Sequence, residues 1–345
     1  MTKRKRAGGR EGGSLLAVAL IPLALGACST DSAPAQHGST KPMATADPAI
    51  GSTLPAAPSV AISAAANDMD RSFPLDATPS PDGASVYYTA LSTDADGNRI
   101  AGIFQVPADG GQVTPLSSGD PLAAPVGITT SIDGATLFVA DPGAESGGGI
   151  VTAASSGGTA SVLSGTTGYR PQGVAVADVK GKTMLYFTGV DPSSGEVGVF
   201  SVDPAGGTVT ALATGAPFGE PGGVTVTSKG DVFVADALGA SGVPAVIEVK
   251  AGAASVFVDR IGVGFPAGIT LTHDESKLVV SGLDPATRTD IVYFIDVGSR
   301  ELSAMTDTVG AFHDPAGLHR AHDADVFAWA DSRANDTGTV YVLRP

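Results

Sequence analysis

The chain has 345 residues, 43% of them hydrophobic and 16% charged, with a formal net charge of −15 at pH 7 and a single cysteine. That length holds one large domain or two small ones, and the acidic balance excludes nucleic acid as a partner. A lone thiol excludes an intramolecular disulfide and any metal site built on paired cysteines.

The first element is a cationic start, Lys3, Arg4, Lys5, Arg6 and Arg10, followed by an apolar run from Leu15 to Leu25 broken only by Pro22. This is the layout of a secretory signal. The run is shorter than the roughly 18 to 20 apolar residues of a spanning helix. It ends in Leu25-Gly26-Ala27-Cys28, which resembles the lipobox of bacterial lipoproteins. The resemblance implies cleavage after residue 27, a thioether-linked diacylglycerol on Cys28, and a chain exported to the cell envelope and held to a membrane by lipid. Ser29 permits outer-membrane sorting where the cell has an outer membrane. An ordinary signal with an incidental cysteine is the alternative.

Residues 28–58 are rich in Ala, Ser, Thr and Pro, with few bulky apolar side chains and no alternation. That composition predicts a flexible tether, whose roughly 30 residues reach about 30 Å as a coil.

From residue 59 to 345 one phrase recurs. It reads "PVGITTSIDGATLFVAD" from Pro125, "PQGVAVADVKGKTMLYFTG" from Pro171, "PGGVTVTSKGDVFVAD" from Pro221, "PAGITLTHDESKLVVSG" from Pro266 and "PAGLHRAHDADVFAWAD" from Pro315. A weaker copy, "PLDATPSPDGASVYYTA" from Pro74, carries Asp76 where the others have glycine. Each copy opens on Pro-x-Gly, runs through a short strand and a polar turn, and enters a second strand rich in Val, Phe and Tyr, which predicts a β-hairpin. A third apolar strand follows every copy ("GIFQVP", "GIVTAA", "VGVFSVD", "AVIEVK", "IVYFIDV", "TVYVLRP"), and a fourth follows the first five. The anchoring prolines are spaced 51, 46, 50, 45 and 49 apart. Four strands per unit at that period predict an all-β, six-bladed β-propeller.

The sixth unit stops after its third strand, at Pro345, and "SVAISAA" (Ser59 to Ala65) stands before the first anchor where a fourth strand would lie. Pairing it with Thr339 to Leu343 would close the last blade and cover an exposed edge.

The wording P-x-G-[IV], D-G, V-A-D resembles the NHL-repeat and SMP-30/gluconolactonase propellers, and "SPDGASVYYTA" is similar to the TolB-type repeat. In such propellers the Pro-x-Gly openings share one funnel face with the ends of the second strands. The resemblance thus puts Asp141, Asp236 and Asp331 on that face. SMP-30-type lactonases hold a catalytic calcium partly through Asn and Asp at the x position. Here those positions are Leu75, Val126, Gln172, Gly222, Ala267 and Ala316, and five of the six cannot ligate through a side chain, whereas a hard cation wants several carboxylates. Asp141, Asp236 and Asp331 could offer oxygens to a calcium ion or cap their own loops. Glu220, Asp314 and Arg170 break the repeat on the same face, as a polar recognition site in which Glu220 and Asp314 are further candidate metal ligands, or as solvated rim.

The densest anomaly is "HDPAGLHRAHD", which holds His313, His319 and His322. His319 and Arg320 lie in an inner strand whose sisters read "VAV", "VTV" and "ITL", and a charged Arg320 where other repeats place Val or Leu needs a partner. His313, His319 and Arg320 are candidates for acid–base or oxyanion chemistry near the channel; a structural pairing of Arg320 with an acid is the alternative. No nucleophile elbow, zincin motif, P-loop or dinucleotide fingerprint occurs. These observations predict a lipid-anchored binding or scaffold propeller without a required cofactor, recognising an envelope protein or small ligand at the funnel. A lactonase-like hydrolase with a rearranged calcium site is the alternative, and a TolB-like partner of another envelope protein a third possibility.

Overall fold

The computed structural model describes residues 61–66, 71–145, 147–239, 241–284, 289–306 and 315–344, all within the unit Asp47–Pro345. The signal, the tether, Cys28, His313 and Asp314 lie outside the described residues.

A first strand, β1 (Ala61–Ala66), precedes the repeats. The first repeat gives β2 (Arg71–Pro79), β3 (Ser85–Thr93), β4 (Arg99–Pro107) and β5 (Thr114–Ser118). The second gives β6 (Gly127–Thr130), β7 (Thr136–Asp141), β8 (Gly149–Ala154) and the two-residue β9 (Ser161–Val162). The third is β10 (Val174–Val179), β11 (Lys182–Val190), β12 (Val197–Val202) and β13 (Thr210–Thr214), and the fourth β14 (Pro221–Val226), β15 (Val232–Asp236), β16 (Ala245–Lys250) and β17 (Ala253–Asp259). The fifth is β18 (Ile269–Leu271), β19 (Lys277–Asp284), β20 (Thr289–Asp296) and β21 (Leu302–Thr306). The last contributes β22 (Pro315–Arg320), β23 (Phe327–Asp331) and β24 (Thr339–Arg344).

Turn chemistry sets the hairpins. In the first repeat Ser80 Oγ donates to Asp82 Oδ1 at 2.6 Å, the same oxygen accepts the Ala84 N–H at 3.0 Å, and Gly83 takes the left-handed φ of 72°. Ser131, Asp133 and Gly134 repeat the device in the second. The short polar side chain mimics a backbone turn and fixes register.

The expectation of six separate four-stranded blades needs correction at one junction. Four sheets have four strands each, in the orders β6-β7-β8-β9, β10 to β13, β14 to β17 and β18 to β21. The remaining strands form one eight-stranded sheet, β1-β24-β23-β22-β2-β3-β4-β5. The merger rests on a short parallel pairing, Asp76↔Gly317 and Ala77↔Leu318. Within that sheet β1 pairs antiparallel with β24 from Ala61↔Arg344 to Ala66↔Val340.

Consecutive repeats share buried apolar clusters, and one strand can serve two of them. Val232 and Val234 of β15 pack with Tyr186 and Val199 of the third repeat, whereas Phe233 and Ala235 face Ile269, Val280 and Tyr293 of the fifth. Period-2 alternation therefore sends both faces of the strand into a core, which explains its continuous apolar reading. A further cluster joins Tyr88 and Phe104 of the first repeat to Ala328, Val340 and Val342 of the last. The fold is all-β and propeller-like. Among the described residues no helix is long and apolar enough to cross a membrane.

Candidate functional site

At the Pro-x-Gly end the repeat aspartates turn to their own loops. Asp141 accepts the N–H groups of Ala124 and Gly143 on Oδ1 and of Ala123 on Oδ2, at 2.8 to 2.9 Å. Asp236 accepts those of Glu220, Leu238 and Gly239 on Oδ1 and of Gly219 on Oδ2. Asp331 accepts those of Arg333 and Ala334. All three are fully buried. Glu220 and Arg170 are exposed on the rim. Among the described residues no three His, Cys, Asp or Glu side chains come together as metal ligands.

Just inside this end the inner strands crowd the axis. A Cβ on Gly173 would collide with the Gly222 carbonyl, and one on Gly317 with the Asp76 carboxylate. Glycine at this column is thus required by close backbone approach. Asp76 fills the place that glycine holds in the other copies. Its Oδ1 accepts the Ala77 N–H at 2.7 Å, and its Oδ2 accepts the Ile128 N–H at 2.7 Å and the His319 Nε2–H at 2.9 Å. The carboxylate is 2% exposed and ties the first, second and last repeats together.

Below this constriction lies a cavity of about 240 Å³ that opens at the hairpin-turn end. Thr129, Ala175, Thr225, Thr270 and His319 line it, one from each of five inner strands, with Asp178 near the end of β10 and Glu275 and Asp323 from the turns also in the lining. Sequence reasoning aimed at the opposite end of the ring. The missing signal was the column two residues past the glycine position, where Thr78, Thr129, Ala175, Thr225, Thr270 and His319 align.

Arg320 and His322 border the cavity as well. Arg320 Nε donates to the Leu271 carbonyl at 2.8 Å, and Nη1 donates to those of Ala321, His322 and Ala324. Asp325 stands 4.0 Å away. The guanidinium thus staples the last hairpin to the fifth repeat. His322 Nε2 donates to the Thr130 carbonyl at 3.1 Å. Burial pushes its pKa down, with the Arg320 charge acting in the same direction and the Thr130 bond against it. The exposed His273 is a turn residue whose N–H meets Asp325.

No family model and no curated protein matches the sequence. Solved structures do match. A chain of a nidogen/laminin complex superposes with a TM-score of 0.54 at 20% identity, over 72% of this chain and 84% of that one. A PQQ-bound aldose sugar dehydrogenase from Streptomyces coelicolor gives 0.54 at 14%, over 85% and 99%. TolB from Acinetobacter baumannii gives 0.52 at 13%, over 71% of this chain and 57% of that one. Likeness at this identity establishes a propeller-like fold, and a fold hosts many activities.

Proposed function

We propose that the chain is a lipid-anchored envelope protein whose 59–345 segment is a six-bladed propeller acting as a binding or scaffold module. The eight-stranded sheet is then two blades bridged by the two-residue parallel pairing at Asp76 and Ala77, with β1 as the outer strand of the last blade. The observation that carries the non-catalytic reading is the engagement of Asp141, Asp236 and Asp331 by their own backbone N–H groups. With the x positions apolar or uncharged, these three carboxylates are taken up by the protein's own backbone and are not offered to calcium.

Thermal unfolding in EDTA and in millimolar calcium tests this. Saturation at about 100 times the dissociation constant would add about 2.7 kcal/mol, a shift of several degrees. No shift is expected. Anchoring is tested separately by mass spectrometry, which should find a diacylglyceryl group on Cys28 and none in Cys28→Ser. A second reading, a hydrolase in which Asp76 orients His319 as general base, draws on the 2.9 Å contact between them. It requires turnover of an ester or lactone that disappears in His319→Gln.

A further inference from the structure

Two hydroxyls packed between repeats, Thr188 and Ser281, find backbone partners, and three threonine hydroxyls in the channel do not. Thr188 Oγ1 accepts the Gly173 N–H and donates to the Gly222 carbonyl, and Ser281 Oγ donates to the Ala316 carbonyl. Thr129, Thr225 and Thr270 are 5%, 8% and 8% exposed and line the cavity. Their hydroxyls bond no other group among the described residues. Buried hydroxyls without protein partners are met by water or by a ligand. His319 joins them, held through Nε2 by Asp76, so that Nδ1 is the ring nitrogen left for a ligand.

Around the mouth three acids outnumber the one guanidinium, Arg320. Asp178, Glu275 and Asp323 line it. Of the cations, Arg320 is engaged by four carbonyls, and His322 is held toward its neutral form by burial. Neither Lys180 nor Lys229 of the neighbouring turns belongs to the lining. Acceptors under a negative mouth favour a ligand that brings N–H donors and positive charge.

We propose that this end of the channel is a binding site for a small amine cation, whose N–H groups meet the Thr129, Thr225 and Thr270 hydroxyls and His319 while the carboxylates of Asp178, Glu275 and Asp323 balance its charge. The constriction at Asp76 and the glycine column makes the site a dead end, and its size, below the usual range of drug-sized sites, suits a small molecule. This rests on the reading of the ring as a binding module.

Three probes of one size separate the terms: ethanolamine, ethylene glycol and glycolate, titrated calorimetrically into the full chain in detergent. Ethanolamine is expected to bind at least tenfold more tightly than ethylene glycol, and glycolate not at all. The double variant Thr225→Val, Thr270→Val should weaken ethanolamine about tenfold with an unchanged melting temperature, since it removes hydroxyls that bond nothing in the protein. Equal binding of the glycol or of glycolate overturns the charge assignment. Absence of binding, or binding indifferent to the double variant, leaves a water-filled channel and overturns the site, whereas capture of an envelope partner in that case keeps the module reading. Chemical consumption of ethanolamine would keep the site and overturn the non-catalytic reading.

Discussion

The Asp76 carboxylate receives the His319 Nε2 proton at 2.9 Å although 243 positions separate the two residues. Asp76 also receives two backbone N–H groups, one its neighbour's and one from Ile128 in the second repeat. A single buried acid therefore stitches the first, second and last repeats at the axis.

Replacing Asp76 by glycine, the residue of the sister copies, should destabilise the domain. It leaves the Ile128 N–H and the His319 donor without their buried acceptor, at a cost of about 3 kcal/mol. Asp76→Asn keeps an acceptor and should cost less. Urea midpoints rank the three proteins; a glycine variant as stable as the parent would show that the carboxylate holds nothing together.

The antiparallel pairing of β1 with β24 leads to a second expectation. A chain beginning at residue 70 lacks β1 and bares the β24 edge from Val340 to Arg344. Exposed strand edges recruit other chains. Size-exclusion chromatography should show aggregates, or the melt should lose its single transition, while a monomer melting like the full chain would mean that β1 contributes nothing to closure.

Much of this was legible in the sequence because the prolines repeat at a nearly constant interval and a central strand such as β15 alternates into two cores. Val232 to Asp236, apolar and unbroken, announces a strand buried on both faces. The merging of the first and last repeats was not legible, since it depends on how closely two inner strands approach at Gly317. Asp76 and His319 each stood out as an exception to its column, yet nothing local joins them; only ring closure does. Arg320 stood out for its charge, but its partners are main-chain carbonyls, which carry no sequence signature.

Asp236→Ala should remove the acceptor for four backbone N–H groups, Gly219, Glu220, Leu238 and Gly239. The expected loss is about 2 to 4 kcal/mol, with Asp236→Asn intermediate. Calcium should leave both the parent and the variant unchanged in a melting experiment. Stabilisation by calcium that vanishes in Asp236→Ala would instead mark this carboxylate as a ligand.

Acid sensitivity should begin with His322. Burial lowers its pKa below the ordinary 6.5 in the folded chain, and the Arg320 charge reinforces this while the Thr130 carbonyl and Asp323 oppose it. The unfolded chain regains a value near 6.5, so below that pH it binds more protons than the folded one, and stability must fall as pH drops toward the folded value. Above about pH 6.5 this contribution is fully present. Asp274 acts in a separate window: hydrogen bonds from Ser276 and Thr272 hold its carboxyl at about 2, so its contribution is lost only between 3.8 and that value. His322→Gln keeps a donor for the Thr130 carbonyl but cannot take a proton. Urea midpoints between pH 7.5 and 5 should therefore decline for the parent and stay flatter for the variant. Parallel decline of the two would move the acid-sensitive group elsewhere in the ring.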